Sequence, residues 1–163
     1  MRLQELRRDS MNIHSTHGRC DEANDLHQAT LVSQRLHQNQ QYNGKPYFDG
    51  HVLPVIKTVK KLGGNEFQQM IAALHDVVED GHLDLGAIRS MFGADMGEAI
   101  DAISRRSGET YFEYINRVIQ NPAARLVKQA DLMVNIGNNP PASLLKRYEK
   151  ALQLVSGEES DIE

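Results

Sequence analysis

Ile71-Ala72-Ala73-Leu74-His75-Asp76-Val77-Val78-Glu79-Asp80-Gly81 is the stretch on which the fold turns. Read as a helix, it has an apolar lead-in followed by four ionisable residues. His75 and Glu79 are four apart, as are Asp76 and Asp80, and Asp76 and Glu79 are three apart. Those spacings put the four groups on one wall of the helix end, while Leu74, Val77 and Val78 turn toward a core. Three neighbouring carboxylates repel one another, and at a helix C-terminus they also meet the negative end of the dipole. Gly81 is a helix stop signal, so the acids fall at that end. A divalent cation held by His75 and Asp76 offsets the cost. The competing reading is a solvated acidic helix end, but an adjacent His-Asp pair after an apolar run is hard to explain as plain surface.

Helical spacing of apolar residues extends in both directions from this stretch. Upstream, Ala23, Leu26, Ala29 and Leu36 mark a helix from Asp21 to about Gln38. Residues 38–50 are polar and carry Gly44, Pro46 and Gly50, which reads as a loop. Val52, Val55, Ile56 and Val59 then give a helix face with Pro54 in its first turn. Asn65 is placed to cap the central helix, which is expected to run to about Asp80. Downstream come a short helix capped by Asp84, another through Met96, Ala99, Ile100 and Ile103, and a basic loop, Arg105 to Thr110. Helices then follow through Tyr111 to Val118, from Pro122 through Val134, and through Leu144 to Val155. Strand-like alternation is nowhere convincing. The expectation is an all-α, single compact fold of seven to eight helices. Its organisation reads as an N-terminal extension over 1–20, with a short helix over 2–9, a domain over 21–155 and an acidic tail over 156–163.

Composition narrows the function classes. A chain of 163 residues with 40% hydrophobic content suits one domain with a real core. No apolar run reaches membrane-spanning length and the first residues lack a signal-peptide core, so a cytoplasmic protein is expected, with no membrane partner. Cys20 is the only cysteine, which excludes an intramolecular disulfide and a Cys-based zinc site. The net charge of −4 argues against a general nucleic-acid-binding surface. It leaves room for a small anionic substrate held by local Arg and Lys. Residues 1–20 keep an oligomer contact open.

Two ligands on one helix do not complete a metal site. His51, at the start of an apolar helix, and Asp131, in the middle of one, are the further candidates. A mid-helix Asp in an apolar run is unfavourable without a partner. The plainer reading pairs Asp131 with Lys128 or Arg125, and makes His51 a cap. Two imidazoles, two carboxylates and water form a mixed N/O set that suits Mn²⁺, Fe²⁺ or Co²⁺. Such a metal lowers the pKa of bound water and polarises a phosphoryl oxygen. Glu79 and Asp80 are then placed to orient or deprotonate that water. Asn135 shares the helix face of Asp131 and can hydrogen-bond a substrate or a ligand. Lys128, Arg105 and Arg106 are candidate phosphate contacts, against the plainer reading of solvated surface charge. Tyr111 and Tyr114 read as core rather than as a base-stacking platform.

The order His51…His75-Asp76…Asp131 resembles the HD phosphohydrolase superfamily. More closely, the chain is similar to the hydrolase domain of RelA/SpoT-type enzymes and the small alarmone hydrolases. Their His-Asp-x-Val-Glu-Asp core is matched by His75 to Asp80, their Gly-x-Pro-Tyr loop by Gly44 to Tyr47, and their Val-Lys-x-Ala-Asp-x-x-x-Asn by Val127 to Asn135. The resemblance covers roughly residues 24–140. It implies that His51, His75, Asp76 and Asp131 bind Mn²⁺, that Glu79 and Asp80 activate water, and that the substrate is (p)ppGpp, which loses its 3′-pyrophosphate. This chain departs from the pattern in two places. Phe48-Asp49-Gly50 puts one residue more than usual between Tyr47 and His51. Gln40-Gln41-Tyr42-Asn43 carries no basic residue where the family has one that stacks on guanine, and Tyr42 is the residue left to stack on a base. A different phosphorylated nucleotide as substrate, and a non-catalytic nucleotide-binding protein of the same fold, are the alternatives.

Overall fold

The computed structural model describes residues 20–157. Eight α-helices hold about two thirds of these residues: α1 Cys20–Leu36, α2 Leu53–Lys61, α3 Glu66–Leu74, α4 Leu85–Phe92, α5 Ala94–Ile103, α6 Tyr111–Ile119, α7 Pro122–Gly137 and α8 Ala142–Ser156. The fold is all-α, as the apolar spacing implies. No helix among the described residues is long and apolar enough to cross a membrane. The expected helix over 2–9 and the last six residues of the acidic tail lie outside the described residues.

Two helices form the spine. α3 packs on α1, α2, α5 and α7, and α7 packs in turn on α2, α5, α6 and α8. Every residue from Met70 to Leu74 is buried, and Val127, Ala130 and Leu132 of α7 are fully buried beside them. Burial of such side chains stabilises the fold by about 1.5–3 kcal/mol each. The helix starts follow local chemistry. Asn65 and Gln68 form a reciprocal capping box on α3, and Thr110 and Glu113 form another on α6. Asp84 and Asn121 accept the third backbone N–H of α4 and α7.

α3 is shorter than its apolar lead-in suggests. It ends at Leu74, and the chain from His75 to Gly81 proceeds as successive turns. Val77 N–H bonds Leu74 O at 3.1 Å and Asp80 N–H bonds Asp76 O at 2.9 Å. Continuing the α ladder would stack Asp76, Glu79 and Asp80 on one wall against the negative helix end. In the turns the three carboxylates take different partners: Asp76 the Tyr47 hydroxyl, Glu79 the Arg105 N–H and Asp80 the Gln40 amide. The segment closes at Gly81, whose φ of +75° is left-handed.

The loop over 38–50 is also more ordered than expected. Gln41–Tyr42 (β1) and Lys45–Pro46 (β2) form a two-residue antiparallel hairpin, pairing Gln41 with Pro46 and Tyr42 with Lys45. Its bend is Asn43-Gly44, with φ of 51° and 77°, the conformation that favours Asn-Gly in a two-residue turn. Strands of two residues are too short to show alternation. After Tyr47 a π-helical turn, Phe48–Val52, leads into α2. His51 therefore sits on this wider turn and not in the first turn of α2. A π turn accommodates one more residue than an α turn, which matches the additional residue between Tyr47 and His51.

Candidate metal centre and cleft

Three segments bring four ligand-type side chains together: His51 from the π turn, His75 and Asp76 from the end of α3, and Asp131 from the middle of α7. His51 Nε2 lies 3.3 Å from His75 Nε2. His51 Nε2 lies 3.2 Å from Asp131 Oδ1 and 3.5 Å from Asp76 Oδ2. His75 Nε2 lies 2.9 Å from Asp76 Oδ2 and 3.8 Å from Asp131 Oδ1. Ligands about 2.1 Å from a common ion, at angles between octahedral and tetrahedral, are about 3.0–3.4 Å apart. His51, His75 and Asp131, whose ligand atoms all lie within 4.8 Å of one another, suit one shared divalent cation, with Asp76 beside them.

The surroundings orient these groups. His75 Nδ1 donates to Ala72 O at 2.7 Å, which leaves Nε2 as the nitrogen facing the cluster. The Tyr47 hydroxyl donates to Asp76 Oδ2. Asp131 is held from both sides: Lys128 Nζ donates to Oδ2 and Asn135 Nδ2 to Oδ1, each at 2.8 Å. Asp131 is thus paired with Lys128 and also faces both imidazoles, so the two readings of this residue are compatible. Burial disfavours the Asp131 carboxylate, but Lys128 and the imidazoles outweigh it and hold its pKa well below the usual range. In the same way burial opposes charge on His75, and Asp76 and Asp131 outweigh it and raise the imidazole to about 9 in the metal-free chain. Burial also opposes charge on Asp76, and His75 overcomes it, holding the carboxyl at about 2.

The cluster opens into a polar cleft of about 240 Å³. Glu79, Arg105, Lys128 and Asn135 line it with His51, Asp76 and Asp131. Glu79 Oε2 accepts the backbone N–H of Arg105 at 2.9 Å. That N–H belongs to a loop held by Arg117, whose guanidinium donates to the carbonyls of Asp101, Ala102 and Ser104 and to the Glu109 carboxylate. The remaining candidates diverge. Asp80 accepts from Gln40 Nε2 at 3.1 Å, away from Glu79. Arg106 is exposed and bridges to Asp101 at 2.6 Å, away from the cleft. Tyr42 borders the cleft, but its hydroxyl donates to Asn135 Oδ1 at 2.8 Å and its ring packs 5.0 Å from the His51 ring.

No family model matches the chain. Among curated proteins it is 26% identical over 144 residues to a probable GTP pyrophosphokinase of Mycobacterium leprae, covering 80% of this chain and 18% of that protein. It is 26% identical over 151 residues to the bifunctional (p)ppGpp synthase/hydrolase SpoT of Escherichia coli, covering 83% and 21%. It is also 30% identical over 70 residues to a probable guanosine-3′,5′-bis(diphosphate) 3′-pyrophosphohydrolase of Synechocystis, covering 43% and 9%. The chain spans about a fifth or less of the length of these relatives. Among solved structures it superposes on a metazoan ortholog of SpoT that hydrolyses ppGpp, with a TM-score of 0.68 at 19% identity, covering 90% of this chain and 92% of that one.

The resemblance is to the SpoT-type hydrolases. The fold is the all-α HD-domain fold, and the likeness to SpoT-type proteins runs through both sequence and backbone.

Beside this SpoT-like core stand cleft residues that the sequence reading did not single out. Arg147 and Tyr148 reach the cleft from α8, 16 residues beyond Asp131 in the case of Arg147. The Arg147 guanidinium lies over the Tyr111 ring at 4.6 Å, and its buried Nε has no hydrogen-bond partner among the described residues. Only the amphipathic pattern of α8 was visible in sequence, and it does not separate a cleft Arg from a surface one. Tyr47 stands in the sequence only as part of a loop motif, with no local signal that its hydroxyl reaches Asp76. Tyr114 is buried, as a core residue should be, yet its ring also borders the cleft under Lys128 Nζ, 5.2 Å from the centroid.

Proposed function

We propose that the chain is a metal-dependent nucleotide phosphohydrolase, and that it acts as a (p)ppGpp 3′-pyrophosphohydrolase. The observation that carries this reading is the convergence of His51, His75 and Asp131, with Asp76 2.9 Å from His75, beside a cleft that Glu79 also lines. The sequence likeness to SpoT-type hydrolases supports the choice of substrate.

In this reading the four residues hold one divalent cation, with Mn²⁺ the first choice. Such an ion supplies a water of lowered pKa and polarises a phosphoryl oxygen. Glu79 takes the proton of the attacking water, with one oxygen fixed by the Arg105 N–H and the other turned to the water. Asp80 was expected to share that task. Its bond to Gln40 supports a different one, bracing the turn that carries Glu79. Lys128 offsets the charge of Asp131, and Arg105 and Arg147 meet the phosphates. Asn135 orients Asp131 and Tyr42 together.

A panel of nucleotides with Mn²⁺, scored for pyrophosphate against orthophosphate, tests the assignment. Pyrophosphate released from ppGpp with GDP as co-product is the expected result. Orthophosphate alone overturns the alarmone reading. One observation favours a second reading in which another phosphorylated nucleotide is the substrate. Tyr42 is tied by its hydroxyl to Asn135, and no basic residue occupies the Gln40 to Asn43 segment to stack on guanine.

A further inference from the structure

A second set of ligand-type side chains converges close to the first, and the proposed hydrolysis does not use it. His37, just beyond the end of α1, and Asp80 and His82, in the turns after α3, each present one ligand atom, all within 4.8 Å of one another. Gln40 stands among them. Its Oε1 lies 2.5 Å from His37 Nδ1 and 2.6 Å from His82 Nε2, and its amide nitrogen reaches Asp80 Oδ2 at 3.1 Å. The His37 ring packs 4.8 Å from Tyr47, and Tyr47 packs 5.4 Å from His51, so one tyrosine separates the two clusters.

We propose that His37, Asp80 and His82, with the Gln40 side-chain oxygen, form a second divalent-cation site that clamps the hairpin segment to the turn bearing Glu79. The geometry supports coordination. Two imidazole nitrogens and a carboxylate oxygen point at one small volume, from segments some 40 residues apart in sequence. In a network without an ion, one amide oxygen takes both imidazole N–H groups at 2.5 and 2.6 Å, shorter than the usual N–H···O range of about 2.7–3.2 Å. A cation between the rings removes that crowding and lets the amide oxygen act as a donor atom. Two imidazoles, one carboxylate and one neutral oxygen suit Zn²⁺ or a neighbouring borderline metal better than Mg²⁺ or Ca²⁺. The His37 side chain is fully buried, while that of Asp80 is 30% exposed, which gives an ion a way in from solvent. The site stands independently of the hydrolase reading.

The test counts metal. The full chain is equilibrated with Zn²⁺, desalted, and its bound metal per chain measured, alongside His82→Ala, His82→Gln and His51→Ala. Thermal melting with and without Zn²⁺ is recorded for each. The expectation is two equivalents in the unaltered chain, one in each His82 variant and one in His51→Ala. The Zn²⁺-induced rise in Tm should shrink in the His82 variants. His82→Gln keeps a side chain that can bond Gln40, so it guards against a loss that reflects misfolding of His82→Ala. One equivalent in the unaltered chain, or two retained in a folded His82 variant, overturns the proposal. A loss confined to the His82 variants, with His51→Ala still binding two, would instead leave this site standing and remove the first centre.

Discussion

Tyr47 and Asp76, 29 residues apart, are joined by a hydrogen bond from the phenol to the same carboxylate oxygen that lies 2.9 Å from His75 Nε2. Three groups therefore crowd one oxygen: a neutral donor and two imidazole nitrogens. The phenol stays protonated, since burial and the nearby carboxylates raise its pKa far above neutral. It orients Asp76 without competing for an ion.

Tyr47→Phe should isolate that orienting effect. The ring contacts to His37 and His51 remain and only the hydroxyl is lost. Metal affinity should fall by about 10–100-fold, the usual effect of removing a ligand's supporting hydrogen bond. Calorimetric titration with Mn²⁺ measures it, and unchanged affinity would show that Asp76 needs no such support.

Removing Asp131 should do two separable things. Asp131→Ala loses a ligand and strands the buried Lys128 ammonium, a change that typically costs about 3–5 kcal/mol. Urea unfolding should show that loss. Adding Lys128→Met should recover much of the stability without recovering metal. If the double variant is no more stable than the single, the Lys128–Asp131 pair is not what the core depends on.

Glu79→Gln should lower turnover by about 10²–10⁴-fold while Mn²⁺ and nucleotide binding persist. Binding measured beside turnover separates loss of the base from loss of the site. Turnover near that of the unaltered chain would remove Glu79 from its role.

The two arginines ahead of Gly108 should behave differently, although sequence gives them equal standing. Arg105→Ala and Arg147→Ala alter residues bordering the cleft and should raise KM by about tenfold or more. Arg106→Ala breaks only an exposed ion pair with Asp101 and should leave KM within about twofold. Steady-state kinetics on the three variants decides it.

Metal affinity should rise with pH. The raised imidazole of His75, at about 9 in the metal-free chain, must lose a proton before it can ligate. Binding should therefore strengthen from pH 6 to about 9 with proton release. Stability without a metal should show the reverse dependence. A folded pKa above the ordinary 6.5 gives stability that is full below 6.5 and lost as pH climbs through about 9. The depressed Asp76 contributes above its ordinary 3.8 and is lost as pH falls through about 2. Melting curves in EDTA across this range should peak in the acid-to-neutral region. A flat profile from pH 6 to 9 would contradict the coupling of His75 to its carboxylates.

The helical architecture was legible because the helices carry apolar stripes, several of them behind a capping residue such as Asn65, Asp84 or Thr110. That Asp131 has charged partners was legible for a different reason, since an Asp at position 131 in an apolar run demands one. What escaped were features set by tertiary contact. α3 ends at Leu74, and Asp76, Glu79 and Asp80, which helical spacing puts on one face, take partners from three different segments. The hairpin is too short for periodicity, although Asn43-Gly44 was a readable sign of it. Arg147 belongs to the cleft because α8 packs on α6 and α7, and nothing local to residue 147 conveys that. Arg106 and Asp80 show a different effect, in which neighbours in sequence part in space: Arg105 and Glu79 line the cleft, while Arg106 bridges to Asp101 and Asp80 bonds Gln40.

The π turn over Phe48–Val52 has a consequence for length variation. An inserted residue in an ordinary helix rotates everything after it by about 100°. Here the slack is absorbed within one revolution, between a bend pinned by Asn43-Gly44 and a helix anchored by Val55 and Val59. The connector thus works as a buffer, shielding the direction of one imidazole from insertions upstream. A one-residue deletion within 48–50 should let this revolution tighten to α geometry while the aim of His51 and the packing of α2 survive.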